Sequence, residues 1–332
     1  MPRNLSRRSV LKLFGGLGLM AAAPITLAGC SGSGGGSSEK TYKIGVLQLT
    51  EHPALDAANK GFIAALDESG IKYEADQQNA QNDQSACQTI ATKLVNDGND
   101  LILAIATPAA QAVAGATSDI PIVGTAITDF AEAGLVKDND KPGTNVTGSS
   151  DLTPVSEQLD LLKQLIPSAK KVGVLFCTAE SNSTVQVKLA KDAAAKKDLE
   201  VVEYSVSSSN EIQQVVESMV GKVDACYCPT DNTIAAGMQT VAMIANDNKL
   251  PTIVGEQGMV ENGGLATYGI DYERLGHMAG EMAAKILKGE SKPADMAIQH
   301  EAAEDCTLVT NKTTAEKLGI DLSVLGDKQT QV

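Results

Sequence analysis

Tryptophan is absent from the 332 residues, and aromatic residues make up only 3% of them. Any core must therefore be built from Ala, Val, Ile and Leu, the usual composition of strands buried on both faces of a parallel sheet. Histidine occurs three times, as His52, His277 and His300, and none recurs in a metal-ligand pattern. Zinc modules are excluded on that ground, and neither a metal nor another cofactor is expected. The motifs G-x-S-x-G, H-E-x-x-H and the P-loop are missing too, and a hydrolase would need a nucleophile with a positioned base. No enzyme is expected. Basic residues are also scarce: 27 Lys and Arg stand against 41 Asp and Glu, a formal charge of −14. Without a basic stripe, nucleic acid is a poor partner.

What is present begins with an export signal. Arg3, Arg7, Arg8 and Lys12 precede an apolar run over 13–28, which glycines and Pro24 interrupt. A basic start, a short apolar run and small residues before a break describe a secretory signal over 1–29 rather than a spanning helix. Leu27-Ala28-Gly29-Cys30 resembles a bacterial lipobox. The resemblance implies a diacylglycerol on the Cys30 sulfur and further acylation such as palmitate, with Cys30 the first residue of the mature chain. Ser6-Arg7-Arg8-Ser9-Val10-Leu11-Lys12 resembles the twin-arginine export motif, departing at Val10 where that family usually has Phe. Residues 30–40 are nearly all Ser and Gly and read as a flexible lipidated tether. Acyl chains at about 0.8 kcal/mol per buried methylene would hold the protein on the outer face of the cell membrane.

Of the six cysteines, Cys87, Cys177, Cys226, Cys228 and Cys306 remain after Cys30, and an odd number cannot all pair within one chain. Free thiols or a single disulfide are both open. Cys226-Tyr227-Cys228 falls on an expected strand, so its two sulfurs should share a face.

Strands and helices alternate along the rest. Strands are expected over 42–49, 72–77, 101–106 and 120–125, with helices over 53–69, 83–97 and 108–116. Pro53 suits a first helical turn and Gly70 a C-terminal cap. Then the order restarts: Lys171-Val172-Gly173-Val174-Leu175 echoes Lys43-Ile44-Gly45-Val46-Leu47. Strands over 200–206, 225–228 and 252–255 follow, with helices over 182–197, 211–220 and 232–248. The repeated order predicts an α/β protein of two doubly wound, open parallel-sheet lobes. Polar crossings are expected at 144–153, 265–271 and 293–299, forming a three-strand hinge, with a helix over 272–288 after the second. Lobe one then comprises 41–148 plus 268–297, and lobe two 149–267 plus 298–332.

In open α/β sheets ligands bind beyond the carboxyl ends of the strands. Thr107-Pro108 reads there as an N-cap followed by proline at the first helical position, a start whose free N–H groups and dipole favour a carboxylate. Ser181, Asn182 and Ser183 read as the same device in lobe two. Asp231 caps another helix start or faces a ligand ammonium. Gln48 and Thr50 in the first loop, Thr128 and Asp129 after the fourth strand, and Glu256 and Asp271 complete the candidates. Each could equally stabilise only its own helix, by about 1 kcal/mol. His52 either lies against a ligand ring or is a surface histidine.

Five stretches carry a family resemblance. Ile44-Gly45-Val46-Leu47-Gln48 with Glu51-His52-Pro53-Ala54-Leu55-Asp56 resembles the opening of ABC-transporter substrate-binding lipoproteins of the tryptophan/tyrosine-binding type. Ala104-Ile105-Ala106-Thr107-Pro108-Ala109-Ala110-Gln111, Thr147-Gly148-Ser149-Ser150-Asp151-Leu152-Thr153-Pro154, Pro229-Thr230-Asp231-Asn232-Thr233 and Gly269-Ile270-Asp271-Tyr272 follow in that family's order. The resemblance implies the type I periplasmic-binding-protein fold, an amino acid (an aromatic one) closed between two lobes, and a membrane permease as partner. A surface sensor or adhesin using the same cleft is the alternative.

Overall fold

The computed structural model describes residues 40–302 and 305–332. The expected signal, Cys30 and the tether up to residue 39 lie outside the described residues.

The first lobe begins with β1 (Tyr42–Gln48), α1 (Pro53–Glu68), β2 (Tyr73–Asn79) and α2 (Gln84–Asn96). It continues through β3 (Leu101–Ile105), α3 (Thr107–Ala116), β4 (Ile122–Ile127) and β5 (Val146–Ser150). The second follows with α4 (Val155–Leu165), β6 (Lys171–Cys177), α5 (Ser181–Ala194), β7 (Glu200–Val206), α6 (Ile212–Met219) and β8 (Ala225–Cys228). After these come α7 (Asn232–Ala236), α8 (Met238–Asp247), β9 (Thr252–Val254), α9 (Gln257–Glu261) and β10 (Ala266–Gly269). The chain closes with α10 (Tyr272–Leu287), β11 (Gln299–His300), β12 (Thr307–Thr310), α11 (Lys312–Leu318) and β13 (Thr330–Gln331).

The first sheet has the order β11-β5-β4-β3-β1-β2 and the second β13-β12-β10-β9-β8-β6-β7. Pairing is parallel throughout except between β10 and β12. The sequence echo thus marks the first strand of two equivalent five-strand series. Its glycine has a packing reason in each. A Cβ on Gly45 would press on Leu94 at 3.0 Å, and one on Gly173 would meet Met219 at 2.5 Å. Both glycines let a covering helix lie close to the sheet.

β1, β3 and β4 are mostly buried and rich in Ile, Val, Leu and Ala, whereas the edge strands β2 and β7 carry exposed polar residues. Charged edges of this kind discourage pairing with another chain. In the second sheet Cys226 and Cys228 point to one face, with their sulfurs 3.5 Å apart, and Tyr227 packs in the core on the other. Cys87, Cys177, Cys226, Cys228 and Cys306 are all free thiols.

The lobe boundaries differ from the sequence expectation. Residues 149–150 complete β5 in the first sheet, and β11 pairs with β5 rather than joining lobe two. The third crossing therefore falls after residue 300, not over 293–299, while 268–269 belong to β10 in the second sheet. The turn-like composition of β5 misled because its hydroxyls are all satisfied internally. Thr147 donates to the Met296 carbonyl, Ser149 to the Leu275 carbonyl and Ser150 to the Thr128 carbonyl. The helix expected over 232–248 breaks at Gly237, where a Cβ would stand 2.4 Å from Ile212 Cδ1.

Candidate functional site

The two series of strand ends face each other, and the first lobe's contribution starts with strained backbone. Ala106 and Ala126 have φ of 83° and 55°, in the region that favours glycine. Strain of this kind persists only where the surroundings enforce it, and it gathers at binding sites. Ala106, not Thr107, is the N-cap of α3, because its left-handed turn out of β3 starts the helix one residue earlier than expected. Thr107 is the first helical residue, and no side chain caps this helix start. Its Oγ1 is buried without a hydrogen-bond partner. Likewise Glu180, not the Ser181–Ser183 run, is the N-cap residue of α5, and it makes no side-chain cap bond.

The second lobe contributes acids. Asp231 caps α7 through the Ile234 N–H and also accepts from the Cys177 N–H at 2.6 Å and the Ser183 hydroxyl at 2.7 Å. Glu180 accepts from the Asn232 and Thr233 N–H groups at 3.1 and 2.8 Å, and from both of those side chains. Glu256 caps α9 by accepting from the Gly258 and Met259 N–H groups. Asp151, in the first crossing, accepts two side-chain hydroxyls, from Tyr272 at 2.9 Å and Thr128 at 3.2 Å.

Among the described residues none of these four buried carboxyl groups has a Lys or Arg partner. Burial raises Asp151 to about 6. Glu256 rises to about 7 and Asp231 to about 8 by the same cause, the latter helped by the neighbouring Glu180. Desolvation penalises the charged form, and no cation offsets it.

The lobes touch directly along this seam. His52 Nε2 meets Asn232 Oδ1 at 3.2 Å, Asn82 donates to Thr233 at 2.9 Å, and Gln84 donates to the Ala179 carbonyl at 2.6 Å. Gln111 reaches Ser181 at 3.3 Å and Gln186 reaches Thr128 at 3.5 Å. A cavity of about 340 Å³ has Pro53, Glu256 and Tyr272 in its wall, and one of about 160 Å³ has Pro108, Glu180 and Thr233. His52 Nδ1, Thr107 Oγ1, Thr153 Oγ1 and Asn182 Oδ1 are buried with no partner. Buried polar atoms are normally paired, so four orphans on the strand-end side of the lobes need an explanation.

Several sequence candidates have other work. Asp129 accepts from the Ala131 and Glu132 N–H groups and from Asn139, so it caps the following turn. The exposed Asp271 caps α10 through Glu273 and Arg274. Gln48 knits the first loop, donating to the Thr50 carbonyl and to Asp56. Ser181 is exposed at the rim. Thr107, Thr128, Asn182, Ser183, Asp231 and Glu256 are buried, and His52 is buried too rather than a surface residue. Sequence reasoning passed over Asp151, Glu180, Gln186, Asn232 and Tyr272. Asp151, Asn232 and Tyr272 stand inside the stretches that carried the family resemblance; Glu180 and Gln186 left no signal.

Two α/β lobes meeting over a buried polar seam at their strand ends are the architecture of a two-lobed solute-binding protein. The family model for ABC transporter substrate binding proteins matches residues 43–325, and the chain belongs to that family. Its members are extracytoplasmic binding proteins and not enzymes. A tyrosine-binding protein of Clostridioides difficile is 50% identical over 278 residues, 80% of this chain and 81% of that one. The ABC domain from Streptococcus pneumonia in complex with L-Trp is 43% identical, covers 88% of this chain and 100% of its own, and gives a TM-score of 0.84. A ligand-free, open substrate-binding protein with adhesive properties from Clostridium difficile is 47% identical over 88% and 99%, with a TM-score of 0.67. The better superposition therefore goes to the ligand-bound neighbour despite its lower identity.

Proposed function

We propose that this protein is the lipid-anchored binding component of an ABC importer and takes up an aromatic amino acid between its lobes. One observation carries the reading. The buried seam combines uncompensated carboxyl groups with helix starts that lack side-chain caps, which suits a ligand bearing both an ammonium and a carboxylate. The start of α3 at Thr107 supplies N–H groups and a favourable dipole for the carboxylate. Asp151 is the ammonium partner: its two hydroxyl donors leave lone pairs free, whereas Asp231 and Glu180 spend theirs on protein donors. The tyrosine-binding relative and the neighbour with L-Trp bound support an aromatic side chain. A ligand that touches both lobes favours the closed form, which presents a different surface to the permease. Domain 1–29 is the signal and 30–40 the tether, with Cys30 acylated after twin-arginine export.

Calorimetry of the full chain in detergent with L-Tyr, L-Trp, L-Leu and myo-inositol tests the ligand class. Binding of an aromatic amino acid with contraction in solution scattering is expected; preference for the polyol would sink the reading. Cys30→Ala should no longer partition with membranes, and a normal-sized, membrane-bound variant would remove the lipid anchor. A second reading, surface adhesion, is favoured only by the adhesive relative. Cell attachment that persists after the permease genes are deleted would support it.

A further inference from the structure

Two of the orphan atoms are acceptors whose identity the surrounding network fixes. Asn232 Nδ2 donates to Glu180 Oε2 at 2.6 Å, so its Oδ1 is the atom that faces His52. An amide oxygen can only accept, and His52 Nε2 must therefore carry the proton. Burial holds the imidazole pKa below its usual value, so the ring is neutral and Nδ1 is a bare lone pair. Asn182 is fixed in the same way. Its Nδ2 donates to the Thr230 carbonyl at 3.2 Å and lies 3.4 Å from Glu180 Oε2, which leaves Oδ1 as an acceptor with no donor. His52 belongs to the first lobe and Asn182 to the second. Both residues are more than nine-tenths buried, and Asn232 and Glu180 link them across the seam.

We propose that His52 Nδ1 and Asn182 Oδ1 select the ligand's side chain, accepting the indole N–H or phenol O–H of the bound amino acid. The inference rests on the amino-acid reading above and deepens it. Tryptophan and tyrosine each carry a ring donor and phenylalanine does not. Phenylalanine would leave both acceptors buried and unpaired, which is the condition under which a polar site rejects an analogue strongly. Shape alone discriminates weakly between phenylalanine and tyrosine, so the acceptors decide the outcome.

The test is calorimetry of the full chain with L-Trp, L-Tyr and L-Phe, repeated for His52→Phe and Asn182→Ala. Wild type should bind whichever of L-Trp or L-Tyr fits better about 100-fold or more tightly than L-Phe. In both variants that ratio should shrink at least tenfold, chiefly through loss of the ring-donor ligands. Equal affinity of wild type for all three amino acids overturns the proposal while leaving the amino-acid function standing. A variant that weakens all three by one factor also overturns it and assigns the acceptors to the ammonium. Failure of any amino acid to bind wild type removes both readings together. The wild-type comparison needs no variant, so a misfolded substitution cannot rescue the proposal.

Discussion

The cleft edges of the two lobes use the same local device, an acidic residue at a helix start, with opposite electrostatic outcomes. On the first lobe Asp83 caps α2 in the open, and its hydrogen bonds to Ser85 and Ala86 hold its pKa below the usual carboxylate range. On the second lobe Asp231 and Glu256 cap α7 and α9 with comparable bonds, yet burial raises them to about 8 and about 7. Capping geometry is shared, so the difference lies in solvent. When water is removed, two or three hydrogen-bond donors do not replace it for a charged carboxyl group. The second lobe and the first crossing together bury acids that await a cation, while the first lobe offers hydroxyls and an uncapped helix start. The seam is polarised, the arrangement that the proposed zwitterionic ligand would require.

Replacing Asp151, the buried acid in the first crossing, should break this contrast most severely. Asp151→Ala should weaken amino-acid binding by roughly 10- to 150-fold, the equivalent of one lost charge-assisted hydrogen bond of about 1.5–3 kcal/mol. Calorimetry reads it directly, and unchanged affinity would move the ammonium to Glu256. Its Tyr272 partner makes a milder probe: Tyr272→Phe keeps the carboxyl group and removes one donor.

A smaller effect separates buried from exposed caps. Asp231→Ala leaves the Cys177 N–H and Ser183 hydroxyl without their acceptor and should cost about 2–3 kcal/mol of stability. Asp271→Ala removes an exposed cap and should cost about 1 kcal/mol, with ligand affinity unchanged. Urea unfolding of the two variants checks the order. Equal losses would mean that burial adds nothing to a cap.

A further effect is in pH. Asp231 and Glu256 bind protons more tightly in the folded chain than in the unfolded one, where their usual values are near 4. Between those values the native state holds more protons, so these groups subtract stability as pH rises from about 4 to about 8 and are neutral below it. Glu256→Gln should flatten the ligand-free melting curve over pH 5 to 8 relative to wild type. A parallel curve for variant and wild type would show that Glu256 is not neutral when folded.

Much of this was legible along the chain. Periodicity and the Lys43–Leu47 echo determined two doubly wound lobes, because a strand buried on both faces needs a continuous apolar run wherever it occurs. The shared face of Cys226 and Cys228 followed from the two-residue repeat of a strand. Helix starts at strand ends marked candidate positions, and Thr107, Asn182 and Asp231 among them are buried. Tertiary structure alone decided which acids are caps that keep contact with water, like the half-buried Asp129 and the exposed Asp271, and which are buried without a cation, like Asp151 and Glu256. It also turned the polar residues of β5 into a core strand by giving each hydroxyl a carbonyl, those of Thr147 and Ser149 from more than a hundred residues away. Local sequence records what a side chain can donate or accept. Whether water remains to answer it depends on segments more than a hundred residues away, as with Tyr272 over Asp151 and Asn232 over His52.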